Sequence, residues 1–364
     1  MDRELNRVLV GMSGGVDSSV AAGLLVEQGF DVIGITIKTY KYEDVGGNVG
    51  NDSTCCSLDG INDARRIALD LGIPHYTVDF TEVFKRNIID YFVEDYLAGN
   101  TPNPCVRCNR EIKWGEMLRK ADALGAEYIA TGHYAIIMHD KTTNRRWIRR
   151  SPDPRKDQSY MLWSVRQEHL ARTIFPLAGF TKPQSRAEGE RLQLGIEGKP
   201  ESFEICFIPD NDYRRFLRDA VPDLDTRVGK GSIVMDGRVI GEHEGYPFYT
   251  VGQRKGLGIS YPEPLFVLNV LPGTNEVEVG TADRLDAISL TANNVNLQKY
   301  PDLRDPQRFL VKIRYKDEGA MATCSTDEHG DLHVQFDEPR KAITRGQSVV
   351  LYEGDDVVGG GIIQ

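Results

Sequence analysis

No stretch of these 364 residues stays apolar for the length of a bilayer crossing, and the opening segment, Met1 to Arg7, is charged rather than apolar. Neither a membrane span nor a secretory leader is expected, and the chain reads as cytoplasmic with no membrane partner. Basic residues are in deficit, 44 Lys and Arg against 54 Asp and Glu, for a formal net charge of -10. That argues against a protein that coats nucleic acid unselectively, because phosphate binding rests on positive potential. Cysteine is scarce, with six in the chain. In a reducing compartment so few cysteines point to reactive, metal-bound or packed thiols rather than a disulfide framework. Internal repeats and low-complexity tracts are also lacking.

What is present describes a globular chain, 40% hydrophobic and 27% charged, long enough for two or three domains. The net acidity leaves room for a specific RNA, because basic residues gather locally: Arg145, Arg146, Arg149 and Arg150 around Trp147, then Arg214 with Arg215, and Arg254 with Lys255. Taken singly, each cluster also fits an ordinary solvated face. From residue 7 to about 133, short β-branched runs alternate with helical stretches, the pattern of a mostly parallel α/β sheet. Strands are expected at Arg7 to Met12, Asp31 to Lys38, His75 to Phe80 and Glu127 to Gly132. Helices are expected at Ser18 to Gln28, Asn62 to Leu71, Glu82 to Leu97 (with Thr81 as its cap) and Arg110 to Leu124.

Two segments interrupt this pattern. Lys41 to Asp59, carrying Cys55-Cys56, reads as a mobile polar loop, and Gly99 to Cys108 as a loop constrained by Pro102 and Pro104. After Pro209, Ser232 to Ile240 reads as a hairpin turning at Asp236-Gly237. From about residue 281, strands at Phe309 to Tyr315, Met321 to Ser325, Leu332 to Phe336 and Ser348 to Tyr352 suggest a small β-barrel.

The first strand runs into Gly11-Met12-Ser13-Gly14-Gly15-Val16-Asp17-Ser18-Ser19. Glycines let the backbone turn tightly and bring N–H groups close to an anion; the serines add donors, and the helix that follows supplies its positive end. A glycine- and serine-rich turn can be mere punctuation, but here six specified residues fall between a strand and a helix. The lysine and the spacing of G-x-x-x-x-G-K-[ST] are missing, so this is not the common nucleoside-triphosphatase loop. S-G-G-x-D-S-S resembles instead the PP-loop of ATP pyrophosphatases, which implies ATP cleaved to AMP and pyrophosphate, with Asp17 helping to orient magnesium. Ligands of such sheets lie beyond the strand carboxyl ends, where the Ser13 loop, Lys38 and Gly132-His133 would converge.

The cysteines leave alternatives open. Cys105-Val106-Arg107-Cys108 precedes the helix expected at Arg110, whose dipole would favour a thiolate at Cys108. Cys206, in an apolar setting, fits either a reactive or a packed thiol, and Cys324, inside an alternating strand, fits packing. A zinc site would need two ligands beyond C-x-x-C, among Cys55, Cys56 and Cys206. A 4Fe–4S cluster on Cys105, Cys108 and Cys206 would leave one iron free to carry sulfide.

Blocks along nearly the whole chain resemble one family, the tRNA-specific 2-thiouridylases: the glycine turn, Thr101-Pro102-Asn103-Pro104, Cys108-Asn109, Ala130-Thr131-Gly132-His133-Tyr134, Lys156-Asp157-Gln158-Ser159-Tyr160, Cys206-Phe207-Ile208, Gly252-Gln253-Arg254-Lys255-Gly256-Leu257-Gly258 and Gly359-Gly360-Gly361-Ile362-Ile363. The resemblance implies a PP-loop, adenine-nucleotide-α-hydrolase-like domain over residues 1–210, a small central domain over 211–280 and a tRNA-binding β-barrel over 281–364. It implies ATP held by Gly11, Met12, Ser13, Gly14, Gly15, Val16, Asp17, Ser18, Ile37 and Gly132, with magnesium. It makes Cys108 the nucleophile and Cys206 the persulfide carrier, and it places Asn103, Pro104, Cys105, Lys156, Asp157, Gln158, Arg314 and Tyr315 against tRNA. Where the enterobacterial branch carries aspartate, this chain has Cys105, so its part in catalysis stays open between proton transfer and cluster ligation.

The implied reaction is ATP-dependent replacement of the wobble uridine's C2 oxygen by sulfur in tRNAs of the Glu, Gln and Lys type, with sulfur from a cysteine desulfurase or a relay protein. The cluster version is the alternative. A small-molecule PP-loop ligase and a non-catalytic RNA-binding module are the rivals, and neither needs the cysteine pair.

Overall fold

The structure, a computed structural model, describes residues 6–40, 58–196, 198 and 205–364. Cys55, Cys56 and most of the loop expected at Lys41 to Asp59 lie outside the described residues. The chain forms two compact units: Met1–Ile88 with Cys105–Asp212 and Asp355–Val357, and Ile89–Pro104 with Tyr213–Gly354 and Val358–Gln364.

In the first unit five parallel strands, β1 (Arg7–Gly11), β2 (Asp31–Lys38), β3 (His75–Asp79), β4 (Tyr128–Ala130) and β5 (Thr173–Ile174), stand in the order β3-β2-β1-β4-β5. Central β1 has Val8, Leu9 and Val10 fully buried, as a parallel strand covered on both faces demands. Val20, Ala21 and Leu25 of α1 (Val16–Glu27) share its core. With β1 at the centre, the strand order reverses between β1 and β4, which opens a crevice beyond their carboxyl ends.

Three expectations need correction. Helix begins at Pro104, in Pro104–Cys108, rather than at Arg110. Proline is tolerated at a helix start because the first-turn N–H groups have no intrahelical acceptor to lose, so Pro104 opens the helix it was expected to forbid. The run continues as a π-helix, Asn109–Glu116, and then as Met117–Ala123, which puts Cys108 inside it instead of before it. Thr81 is not the cap of its own helix: Asp79 Oδ1 accepts both its backbone N–H, at 2.9 Å, and its hydroxyl. Apart from these corrections, Arg145, Arg146 and Arg149 lie with Trp147 in strand Arg145–Arg149, paired antiparallel with Ile136–Asp140, and Arg150 follows it.

The second unit holds a four-stranded sheet in the order Phe266–Leu271, Glu276–Gly280, Gly231–Met235, Arg238–His243. Asp236 (φ 50°) and Gly237 (φ 74°) make the expected hairpin turn, since a primed turn needs both central residues left-handed. Six further strands close a barrel: Asp286–Leu297, Leu332–Lys341, Ala320–Thr326, Gln307–Lys312, Ser348–Glu353 and Asp356–Ile363, the last pairing back on the first. Leu332, Val334 and Phe336 alternate into its core with Phe309, Val311, Ala322 and Cys324. Among the described residues no helix is long and apolar enough to cross a membrane.

Candidate active site

The crevice predicted by strand order is a cavity of about 260 Å³ in the first unit. It is lined by Gly11, Met12, Ser13, Asp17 and Ser18 from the glycine turn, by Thr131, Gly132 and His133 after β4, and by Ile35, Ile37 and Thr39 from β2 and the residues after it. Cys108, Ile112, Lys113 and Met117 of the Pro104–Ala123 helical run complete it with Phe84, Gln158 and Cys206.

The turn is built for close approach. Gly14 has φ +74°, and a Cβ there would lie 2.2 Å from Gly60 O; a Cβ on Gly132 would lie 2.6 Å from Asp17 C and 2.8 Å from Ser18 N. Both sites therefore demand glycine, and the backbone after β4 can run against the first turn of α1. Ser18 Oγ accepts from Ser13 N at 3.1 Å and donates to Gly15 O at 3.2 Å, which holds the loop shut on itself. The N-cap is Gly15, with no side-chain cap, so no side chain competes for the helix start. Gly14, Gly15 and Val16 shape the turn without lining the cavity, Val16 being buried in the core.

Asp17 Oδ1 accepts from Tyr134 Oη at 2.6 Å and from Lys182 Nζ at 2.7 Å. Lys182 sits at the start of helix Lys182–Arg191, whose entry is held by a capping box between Thr181 and Gln184. Both contacts use Oδ1; Asp17 is the residue that could hold a magnesium ion brought by nucleotide phosphates, since a single carboxylate is a usual protein contribution there. Lys38 does not converge on the cavity as expected, because its ammonium lies 3.6 Å from Asp79 Oδ2.

The two sulfurs arrive on different supports. Cys108 rides the helical run, with neighbouring Asn109 buried and its Nδ2 donating to Met161 O at 2.8 Å. Cys206 is anchored through its own backbone: Tyr40 Oη donates to Cys206 O at 3.0 Å, and the buried Phe207 ring meets Phe84 edge-on at 5.8 Å. Cys105 is exposed and does not line the cavity. Among the described residues no three His, Cys, Asp or Glu side chains are placed to hold a metal, so the cluster ligand set of Cys105, Cys108 and Cys206 is not assembled. None of Cys105, Cys108, Cys206 and Cys324 is joined in a disulfide. Burial pushes the Cys324 thiol up to about 12, as its packing role requires.

The positions expected to face tRNA fall in both units. Gln158 lines the cavity, and its Oε1 accepts Tyr134 N at 2.9 Å. The Asp157 carboxylate accepts Ser151 N, Ser159 N and the Ser159 hydroxyl, so it holds its own loop. Lys156 is half-buried. In the second unit, the segment leading to Asn103 and Pro104 is tied down by Thr101, which donates to Arg345 O at 2.9 Å and accepts from Gln347 at 2.8 Å. Arg314 and Tyr315 fall in the turn after Gln307–Lys312, which ends earlier than the expected strand. Sequence reasoning missed Lys113, Phe84, Ile112, Met117 and Thr39, because no local motif marks which side chains of a helix, or of the residues after a strand, meet a cavity.

A parallel sheet with an uncapped glycine turn at its switch point, followed by a small sheet and a closed barrel, defines a nucleotide-binding enzyme of the HUP class. Three domain models match in that order: a tRNA methyl transferase HUP domain over residues 6–210, a tRNA methyl transferase PRC-barrel domain over 215–281 and an aminomethyltransferase beta-barrel domain over 287–363. The tRNA-specific 2-thiouridylase MnmA of Salinibacter ruber is 50% identical over 359 residues, covering 98% of this chain and 94% of that protein. That of Amoebophilus asiaticus is 50% identical over 362 residues, with 98% and 95% covered, and that of Clostridioides difficile 44% over 359, with 98% of each covered. The chain belongs to the tRNA-specific 2-thiouridylase family.

Proposed function

We propose that this chain replaces the C2 oxygen of the wobble uridine of tRNA by sulfur, using ATP and a cysteine persulfide. The carrying observation is that one cavity is lined both by the glycine turn and by the two thiols of Cys108 and Cys206. A stacked base cannot offer its C2 oxygen to such a cavity, so the uridine is flipped in. Gly11, Met12, Ser13, Ser18, Ile37 and Gly132 hold ATP, the turn formed by Gly14, Gly15 and Val16 presents its phosphates to the start of α1, and Asp17 contributes a ligand to magnesium, which supplies charge neutralisation on the phosphates. The uridine oxygen gives an electron pair to the α-phosphorus, and pyrophosphate departs with the pair of the broken bond.

Adenylation makes the oxygen a good leaving group. The terminal sulfur of a Cys206 persulfide attacks C2, and AMP leaves with the C–O pair. The Cys108 thiolate then attacks Cys206 Sγ, forming a disulfide and releasing the thiocarbonyl with the pair of the broken S–S bond. A dithiol reductant returns two electrons and two protons to regenerate both thiols. Asn103, Pro104, Cys105, Lys156, Asp157, Gln158, Arg314 and Tyr315 serve tRNA binding, a desulfurase or relay protein reloads Cys206, and the domain limits are 1–210, 211–280 and 281–364.

The experiment is anaerobic purification with iron analysis, followed by thiolation of wobble-uridine tRNA. Iron-free protein that thiolates tRNA and forms AMP only when tRNA is present supports the persulfide reading. Iron-dependent activity that is lost in Cys105→Ala overturns it in favour of the cluster. AMP formation driven by an amino acid instead of tRNA overturns both in favour of a ligase.

A further inference from the structure

Lys113 is the only cationic side chain among the described residues lining the cavity. It reaches that position through the irregular part of its helix. In an α-helix, residues five apart point about 140° away from each other. In the π-turns of Asn109–Glu116, bonding runs between residues five apart, as where Met117 N donates to Ile112 O, and such turns stack the residues they link. Cys108 and Lys113, five apart, both line the cavity, as do Ile112 and Met117.

The partner of Lys113 is unusual for a cation. Its Nζ lies 3.2 Å from His133 Nε2, and His133 Nδ1 lies 2.7 Å from Thr131 Oγ1. An ammonium has only donors, so Nε2 accepts and Nδ1 carries the proton that it donates to Thr131. His133 is buried between the rings of Trp114 and Phe175, at 5.6 and 5.9 Å, and burial together with the Lys113 charge holds it neutral, well below the usual imidazole range. Lys182 makes the contrast: its charge is cancelled by the Asp17 carboxylate at 2.7 Å. A neutral imidazole fixes an ammonium as firmly as a hydrogen bond can, yet leaves its full charge for an anion. Among the described residues no carboxylate pairs with Lys113.

We infer that Lys113 is a catalytic residue of the adenylation step, its ammonium bonding the non-bridging oxygens of the phosphoryl group under transfer, and that His133 is the positioning residue that holds it there without cancelling its charge. This rests on the adenylation reading above. As the uridine oxygen–phosphorus bond forms and the bond to pyrophosphate breaks, negative charge stays on the non-bridging oxygens while the uridine N3 proton passes to water. Lys113 exchanges no proton and acts by preorganised charge.

The test is single-turnover AMP formation with tRNA and saturating ATP. Lys113→Gln should slow it by about 10²- to 10³-fold, the effect of losing one preorganised donor, with ATP affinity and melting temperature near wild type. Lys113→Arg should keep part of the rate, and methylammonium should partly restore Lys113→Ala. His133→Gln, whose amide oxygen can replace Nε2 as acceptor, should stay active where His133→Leu does not. Full-rate Lys113→Gln, or equal rates for His133→Gln and His133→Leu, overturns the inference alone. Wild-type protein that forms no tRNA-dependent AMP overturns the adenylation reading as well.

Discussion

The cavity beneath the glycine turn and the core of the C-terminal barrel both contain cysteine, and they treat it in opposite ways. Cys108 and Cys206 line a space shared with Lys113, Asp17 and Gln158, whereas Cys324 is fully buried among Phe309, Val334 and Leu351 with its thiol pushed up to about 12 by burial alone. A thiol is a nucleophile only as thiolate, so the same residue is reactive where charge can be met and inert where it cannot. The lesson extends to lysine and histidine. Lys182 is neutralised by a carboxylate, Lys113 rests on an imidazole, and His133 is held neutral by burial.

The sharpest way to break this contrast is to exchange sulfur for oxygen in both regions. Cys108→Ser and Cys206→Ser should each lower tRNA thiolation by about 10³-fold or more, because a hydroxyl neither carries persulfide sulfur nor closes a disulfide, with unfolding midpoints unchanged. Cys324→Ser should do the reverse, costing about 1–3 kcal/mol in urea unfolding for burying a hydroxyl in the barrel while thiolation per folded molecule stays at wild type. Equal activity losses at positions 206 and 324 would dissolve the comparison.

Gly132→Ala probes the approach of backbone to backbone, since the added carbon would sit 2.6 Å from Asp17 C and the contact is not the end of a flexible side chain. Overpacking of about 1–3 kcal/mol is expected, together with weakened ATP binding measured by calorimetry. The pH dependence tests His133. Its folded-state affinity for protons is below the ordinary value of 6.5, so the unfolded chain binds more protons once pH falls below about 6.5. The stability that neutral His133 provides is fully present above that pH and is lost as pH falls toward its folded value. His133→Gln should therefore flatten the acid limb of a denaturant-midpoint profile, less the contributions of His75, His169 and His243, which are shifted in the same direction by burial. The smallest effect is expected at Cys105→Ala: an exposed thiol outside the cavity that serves tRNA binding alone should leave thiolation at saturating tRNA within about threefold of wild type, read in the same assay, its loss showing instead as weaker tRNA binding.

Much of the architecture was legible because it rests on local rules. Val8-Leu9-Val10 reads as part of an apolar strand in a mostly parallel sheet, Asp236-Gly237 as a hairpin turn, and Leu332 to Phe336 as a strand, and each is found so. Pro104 was misread because proline's meaning depends on whether it stands inside a helix or at its first turn, which spacing alone does not say. The closing barrel strand Asp356–Ile363 escaped notice because it is glycine-rich and gains its stability from the partners on either side rather than from its own composition.

The amino-acid sequence by itself determined the glycine turn between a strand and a helix, the order of sheet and barrel, and which cysteines could matter, because turn chemistry and side-chain periodicity act over a few residues. Only the tertiary structure decided that Cys108 and Cys206 share one cavity, that Cys105 is outside it, that Lys38 is held by Asp79, and that Lys113 faces the same space beside a neutral His133. Those outcomes depend on groups 20 to 98 residues apart in the chain meeting across a packed core, as with Lys113 and His133 or Cys108 and Cys206 (133 − 113 and 206 − 108). A π-helical turn that re-aims one side chain, and a burial that removes water from one imidazole, are properties of the packed chain that no short stretch of residues encodes.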